Sequence, residues 1–328
     1  MQSRQKDLAQ WLQQILSQAT FTLTPLTGDA SFRSYIRLYY NGTTRIIMDV
    51  PPEQEDLQSF LNIASLLYKF GICVPKVHAI EKNHGFVILD DFGDELLLHR
   101  ASSSGRSTHS LYIEAINTII KLQSCLQANI SHLAVFNQEY MLKELEIFTQ
   151  WFLSRYLKIR LSAQNIALLE QTFNWLSNEI VQQPHVFIHR DFHSRNVMLI
   201  TQNNSTILGI IDFQDAMRGP LTYDLVSLLK DCYIKWPESQ ITQWVNFFYH
   251  HSPLAQQLSS AAFRRAFDLC GLQRHLKILG IFARLYLRDQ KAWYLQDIPL
   301  TIKYIRTALQ NYYAELKPFY LFMQTLKL

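Results

Sequence analysis

Apolar residues recur along the chain with two periods, and the change from one to the other divides it. Phe21 to Leu26 alternates apolar residues with Thr or Pro, which predicts a strand. Ile36 to Tyr40 and Thr44 to Val50 flank Asn41-Gly42, whose two turn positions favour positive φ and so predict a hairpin. Val74 to Ile80 and Phe86 to Leu89, separated by Lys82-Asn-His-Gly85, predict two further strands. Helical spacing interrupts this pattern twice. Leu8, Trp11, Leu12 and Ile15 predict a short helix over Leu8 to Leu16. Leu57, Phe60, Leu61, Ala64 and Leu67 predict another, starting at Pro51-Pro52 with Glu53 and Glu55 in its first turn and stopping at Gly71. Five strands and one helix would make a small N-terminal lobe, residues 1–92, with an antiparallel sheet. Asp90-Asp-Phe-Gly93-Asp would leave that sheet as a connector.

After a Ser-rich stretch, Ala101 to Ser110, the period becomes helical. Leu111 to Leu122, Tyr140 to Tyr156 and Leu168 to Ile180 predict three helices, and the chain beyond Asp224 is again helical. Residues 93–328 should therefore form a larger, mainly helical lobe, making the chain an α+β, two-lobed protein. Between the helical tracts lies a different segment. Val186 to Ile188 and Val197 to Ile200 are short apolar runs flanking His189-Arg-Asp-Phe-His-Ser-Arg-Asn196, and a third run, Ile207 to Ile211, ends on Asp212. Strands that deliver polar residues to one place predict a site.

The spacing points to a chemistry. Asp191 and Asn196 are five apart on one loop, and the strand-turn-strand excursion to Asp212 can fold its carboxylate back beside Asn196. A carboxylate and an amide oxygen are hard ligands suited to Mg²⁺, which keeps some waters and takes other ligands from phosphates. Asp191 then remains to accept a proton. Phosphoryl transfer asks little more of a protein than positioning, charge neutralisation and a group that orients the nucleophile. Singly, each of these residues is better read as part of a turn or cap. Together, His189-Arg190-Asp191, Asn196 and Asp212-Phe213 match the kinase catalytic-loop pattern, with Asp-Phe-Gln in place of Asp-Phe-Gly. A small-residue turn, Gly28-Asp-Ala-Ser31-Phe-Arg33, could fold over nucleotide phosphates, although alone it is an ordinary turn.

Composition narrows the classes. The chain has 328 residues, 48% of them hydrophobic, enough for two lobes with cores. Lys plus Arg total 31 against 27 Asp plus Glu, a net charge of +4 without basic runs, so a nucleic-acid partner is not expected. Cys73, Cys125, Cys232 and Cys270 form no Cys-x-x-Cys pair, which argues against zinc and disulfides and for a reducing cytoplasm. The polar N-terminus lacks a signal-peptide core, and no apolar run is long enough to span a membrane. A cytoplasmic monomer is expected.

These motifs and the two-lobed order resemble the aminoglycoside phosphotransferase and choline kinase superfamily, relatives of protein kinases. The likeness narrows through Gly28 to Arg33, Met48-Asp-Val-Pro-Pro52, Ile211-Asp-Phe-Gln-Asp-Ala216, Gly219 to Tyr233 and Arg274 to Arg284. These resemble the anomeric N-acetylmuramate and N-acetylglucosamine kinases of cell-wall recycling, over about residues 20 to 310. The resemblance implies transfer of the ATP γ-phosphoryl group to a sugar C1 hydroxyl. It assigns Asp191 as catalytic base with His189 and Arg190 beside it, and Asn196 and Asp212 to Mg²⁺. Ser31, Phe32 and Arg33 would lie near the phosphates, and the backbone of Asp90 and Phe92 near adenine. His193, Tyr223, Arg274 and Arg284 are substrate candidates.

Two features complicate this reading. The strand Arg45-Ile-Ile-Met-Asp49-Val has no counterpart of the kinase strand lysine, so Arg33, Arg37 or Arg45 would have to meet the phosphates, depending on strand register. In a helix over Phe263 to Arg288, Arg274, Lys277, Arg284 and Arg288 would fall within roughly 80° of one another. That stripe is either a solvated face or a partner for an anionic substrate group. Alternatives to a sugar kinase are a kinase of aminoglycosides, choline-like amines or other alcohols, and a nucleotide-binding protein without turnover.

Overall fold

The computed structural model describes residues 2–16, 20–26, 33–53, 57–101, 106–202 and 205–326. The chain opens with α1 (Gln2–Ile15), β1 (Phe21–Leu26), β2 (Ser34–Tyr40), β3 (Thr43–Asp49), α2 (Leu57–Lys69), β4 (Val77–Glu81) and β5 (Phe86–Asp90). The strands form one antiparallel sheet in the order β1-β2-β3-β5-β4. Asn41 and Gly42 have φ of 48° and 70°, as the hairpin between β2 and β3 requires. α2 stops at Gly71, whose φ is +66°. Its described part runs from Leu57, and the expected start at Pro51-Pro52 is too early. Pro51, Pro52 and Glu53 lie in a loop and a turn, and Glu55 falls outside the described residues.

This part carries both helices that the helical spacing predicts, α1 belonging to it as well as α2, and α1 covers one face of the sheet. Leu8, Trp11 and Leu12 of α1 pack with Leu38, Ile47, Phe86 and Ile88 in one buried cluster. The register settles which side chains share that face. Ser34, Ile36 and Leu38 pair with Asp49, Ile47 and Arg45. Directly opposed residues lie on the same face, so Arg45 and Asp49 lie on the side covered by α1, and Arg37, opposite Ile46, lies on the other.

The chain continues through α3 (Leu97–Ala101), α4 (Arg106–Leu126), α5 (Gln138–Ile147), α6 (Ala163–Val181), β6 (His185–Ile188), β7 (Val197–Gln202), β8 (Ser205–Ile210) and β9 (Met217–Pro220). It ends with α7 (Tyr223–Leu229), α8 (Glu238–His251), α9 (Ser260–Asp289), α10 (Ile298–Asn311) and α11 (Tyr313–Thr325). The whole packs as two units, Met1–Leu96 with Val197–Asp215, and Leu97–Asn196 with Ala216–Leu328. The β7-β8 hairpin joins the first unit through backbone bonds from Leu199 N–H to the Glu95 carbonyl (2.7 Å) and from Ile210 N–H to the Cys73 carbonyl (2.8 Å).

α9, with 30 residues, is the backbone of the second unit. Ser259 caps its start by accepting from Ala262 N–H. α5 runs on into a π-helical segment, Phe148–Tyr156, that lies tight against α9. At Gly280 the contact is so close that a Cβ would sit 2.5 Å from the carbonyl of Ile147. β6 pairs with β9, placing the loop His189 to Asn196 at one strand end. Among the described residues no helix is long and apolar enough to cross a membrane.

Candidate active site

The loop after β6 is held from below by Asp224, in the first turn of α7. This fully buried carboxylate accepts from the backbone N–H groups of His189 (2.7 Å) and Arg190 (3.0 Å). Burial pushes its pKa up to about 6 against the opposing effect of His189 and those two N–H groups. A second buried acid, Asp231, accepts from the backbone N–H and hydroxyl of Ser194 and from Tyr233 N–H. Two carboxylates thus fix both halves of the loop. Arg190 takes φ of +76°, a conformation that costs a non-glycine residue energy and is kept because these bonds over-determine it.

Asp191 lies between those anchors with its side chain 41% exposed. Arg274 of α9 donates from Nη1 to the Arg190 carbonyl at 2.7 Å, and its Nη2 lies 3.4 Å from Asp191 Oδ1. Burial disfavours the Asp191 anion, but Arg274, Lys277, His193 and Arg190 outweigh it and hold the carboxyl well below the usual carboxylate range. Asp191 is therefore ionised throughout the physiological range, a carboxylate ready to accept a hydrogen bond from a hydroxyl.

A layer of buried charges lies behind it. Glu144 of α5 accepts from Lys277 Nζ (2.6 Å), Arg190 Nη2 (3.2 Å) and Gln273 Nε2 (3.1 Å). Tyr223 places its hydroxyl 3.4 Å from both Arg274 Nη1 and Lys277 Nζ. Three of the expected site residues are bonded within this network or beside it. His189 is 1% exposed and accepts from Asp191 N–H through Nδ1, Arg190 is bound to Glu144, and Tyr223 is buried. Arg274, expected at a substrate group, is 4% exposed and spends itself on the loop. His193 sits edge-on to Tyr233, over which Arg195 stacks at 3.7 Å.

Sequence reasoning missed Glu144 as a member of the site. Its signal was present: it shares the buried face of α5 with Met141 and Leu145, a charge at a core position. Such a residue demands buried cations, and α9 supplies them.

Asn196 donates its amide N–H to the Asp191 carbonyl (3.0 Å), so any cation it held would meet its oxygen. Asp212 in the other unit has φ of +65°, and its Oδ1 accepts from Gln214 Nε2 (2.9 Å). An amide oxygen such as that of Asn196 and a carboxylate such as that of Asp212 are each hard oxygen donors of the kind Mg²⁺ takes. Among the described residues no group of three His, Cys, Asp or Glu side chains forms a denser metal cluster.

The first unit gathers the other nucleotide-site candidates. Phe213 stacks on Phe60 of α2 with ring centres 5.1 Å apart, and the guanidinium of Arg33, 5% exposed, lies 5.8 Å from the same ring. Ser31 and Phe32 lie outside the described residues. Arg37 is bound to Asp91 and Asp94 and pins the connector after β5. Asp49 pairs with Arg4 of α1. The Asp90 N–H donates to the Lys76 carbonyl (3.0 Å), so of its backbone groups only the carbonyl could serve an adenine edge. The Phe92 ring packs where a Cβ on Gly209 would fall, 2.6 Å away.

The chain is similar to known proteins. The model of a family described as "Phosphotransferase enzyme family" matches residues 22–255. An "N-acetylmuramate/N-acetylglucosamine kinase" of Pseudomonas aeruginosa is 36% identical over 88% of this chain and 83% of its own. A protein of the same description from Neisseria meningitidis serogroup B is 36% identical over 97% of this chain and 94% of its own. Among solved structures, choline kinase LicA from Streptococcus pneumoniae superposes with a TM-score of 0.63 at 12% identity, covering 92% of this chain and 99% of that one. An ADP-bound aminoglycoside phosphotransferase, APH(2'')-Ib, gives 0.61 at 14% identity over 91% and 97%.

Proposed function

Because the chain belongs to the phosphotransferase enzyme family, we propose that it is a cytoplasmic, monomeric kinase that transfers the γ-phosphoryl group of ATP to the anomeric C1 hydroxyl of an N-acetylated amino sugar. N-acetylmuramate and N-acetylglucosamine, released in peptidoglycan recycling, are the acceptors. The observation that carries this reading is Asp191, a partly exposed carboxylate on a loop locked by Asp224 and Arg274.

In this mechanism Asp191 accepts a hydrogen bond from the C1 hydroxyl and aims its oxygen at the γ-phosphorus. As the new O–P bond forms and the bond to ADP breaks, the proton passes to Asp191. A carboxylate held at low pKa is a weak base, so the proton moves late, in keeping with a loose transition state in which the nucleophile needs little activation. Asn196 and Asp212 are the residues that would hold Mg²⁺, which supplies charge neutralisation on the phosphates. Arg33, with Ser31 and Phe32, is assigned to the phosphates, since register puts Arg45 on the α1 side and Arg37 is bound to Asp91 and Asp94. The cations around Asp191 disfavour cationic acceptors such as aminoglycosides or choline.

Incubation with Mg²⁺-ATP and, separately, each N-acetyl sugar, glucose, choline and kanamycin tests this, with ADP release and phosphorus NMR as readouts. An anomeric phosphate on the N-acetyl sugars is expected, with Asp191→Asn lowering turnover by about 10²- to 10⁴-fold. Turnover of only choline or kanamycin would overturn the sugar assignment.

A further inference from the structure

The basic stripe of α9 divides into two pairs with different surroundings. Arg274 and Lys277 are buried and bound to the catalytic loop and to Glu144. Arg288 is exposed and held by its neighbour Asp289 through Nε (2.7 Å) and Nη2 (2.8 Å). Arg284 differs from all of them. It is partly buried, and its Nε is shielded from solvent with no hydrogen-bond partner. Burial and the nearby charge of Arg288 both disfavour its cation, with only Asp289 in opposition. Asp289, the opposite charge beside it, is already bound to Arg288, so the Arg284 guanidinium can take a further anion.

The exposure of α9 shows where that anion would come from. From Phe267 to Leu285 every residue is buried except Ile278, Ile281 and Arg284. Spaced three apart, these make a continuous open strip on the helix. It begins one turn beyond Arg274, whose guanidinium is at Asp191, and ends on Arg284. Residues 274 and 284 are about 15 Å apart along the axis, and since long helical side chains lean the same way, their head groups keep about that spacing. A hydroxyl bonded to Asp191 accounts for the first part of the span. In a sugar with a lactyl ether at C3, the carboxylate lies five bonds from the anomeric carbon, about 6 Å further. A hydrogen bond completes the distance. The two isoleucines between offer an apolar floor to the ring and its N-acetyl methyl.

We propose that Arg284 is the specificity residue that binds the carboxylate of an acidic amino sugar whose C1 hydroxyl lies at Asp191, with Ile278 and Ile281 as the floor between them. This rests on the sugar-kinase reading and deepens it: Arg284 distinguishes an acidic acceptor from a neutral one, while Arg274 positions the catalytic loop. A guanidinium offers a carboxylate two parallel hydrogen bonds, which a lysine ammonium does not reproduce.

The test compares kcat and KM for N-acetylmuramate and N-acetylglucosamine in the parent, Arg284→Ala and Arg284→Lys. In Arg284→Ala the ratio of kcat/KM for the acidic sugar over the neutral one falls by about 10- to 100-fold, the loss expected for a hydrogen bond to a charged group. The change appears in KM for the acidic sugar, and Arg284→Lys recovers part of it. A ratio within about twofold of the parent in Arg284→Ala overturns the assignment, as does a parent that phosphorylates only the neutral sugar; both leave the sugar-kinase reading standing. A parent that phosphorylates neither sugar overturns both. Circular dichroism of each variant identifies a loss caused by misfolding, and the lysine variant then supplies the decisive ratio.

Discussion

Lys277 on α9 places Nζ 2.6 Å from Oε1 of Glu144 on α5, with both side chains under 10% exposed. The pair ties two helices together at the level of the loop from His189 to Asn196, because Glu144 also holds Arg190. Removing one partner of a buried ion pair leaves the other uncompensated. Glu144→Gln should therefore destabilise the protein by about 3–5 kcal/mol in urea unfolding. Glu144→Gln with Lys277→Met should cost clearly less than the sum of the single changes. Additive costs would show that the two charges are not coupled.

Two glycines of α9 should respond to alanine with opposite signs. At Gly280 a Cβ would sit 2.5 Å from backbone atoms of Ile147, so the helices must part, at a cost of about 1–3 kcal/mol. At Gly271 the nearest atoms are side-chain carbons 3.6 Å or more away, and alanine should add about 0.5–1 kcal/mol through helix propensity. Thermal unfolding checks both: Gly280→Ala melts lower than the parent and Gly271→Ala higher.

Acid sensitivity should trace to His275. The ring is 1% exposed, bonds through Nε2 to the Lys230 carbonyl and stacks on Tyr304, and burial lowers its pKa from 6.5 to about 3. A base with a depressed folded pKa gives stability that is present above the unfolded pKa and is lost as pH falls towards the folded one. From pH 6.5 to 5 this amounts to about 2 kcal/mol. Asp224 acts in the opposite sense, since its raised pKa of about 6 gives stability that is lost as pH rises through that value. Urea unfolding at pH 5 and 7 of the parent and His275→Gln separates the two effects. The parent should lose more on acidification by about that amount, and an equal loss in both would sink the assignment to His275.

Much of the frame was legible in the sequence because it rests on local periodicity. β1 has the expected ends, the Asn41-Gly42 turn carries its positive φ values, and the loop from His189 to Asn196 lies between short strands as its apolar flanks require. α2 begins beyond Pro51-Pro52, since proline and acidic residues also suit a loop before a helix.

The sequence by itself determined the α+β class and the place of the loop from His189 to Asn196 between short strands, since backbone geometry and residue type decide both within a few neighbours. Only the tertiary structure decided what each charge does. Arg274, Arg284, Lys277 and Arg288 read alike as one basic stripe. Burial and partners make the first a clamp on the loop, the third a counter-ion for Glu144, the fourth a surface residue, and leave Arg284 able to take a further anion. Likewise register alone put Asp49 and Arg45 on the face covered by α1 and left Arg37 to the connector. Partners so far apart in the chain meet through packing, and electrostatic roles follow the company a charge keeps.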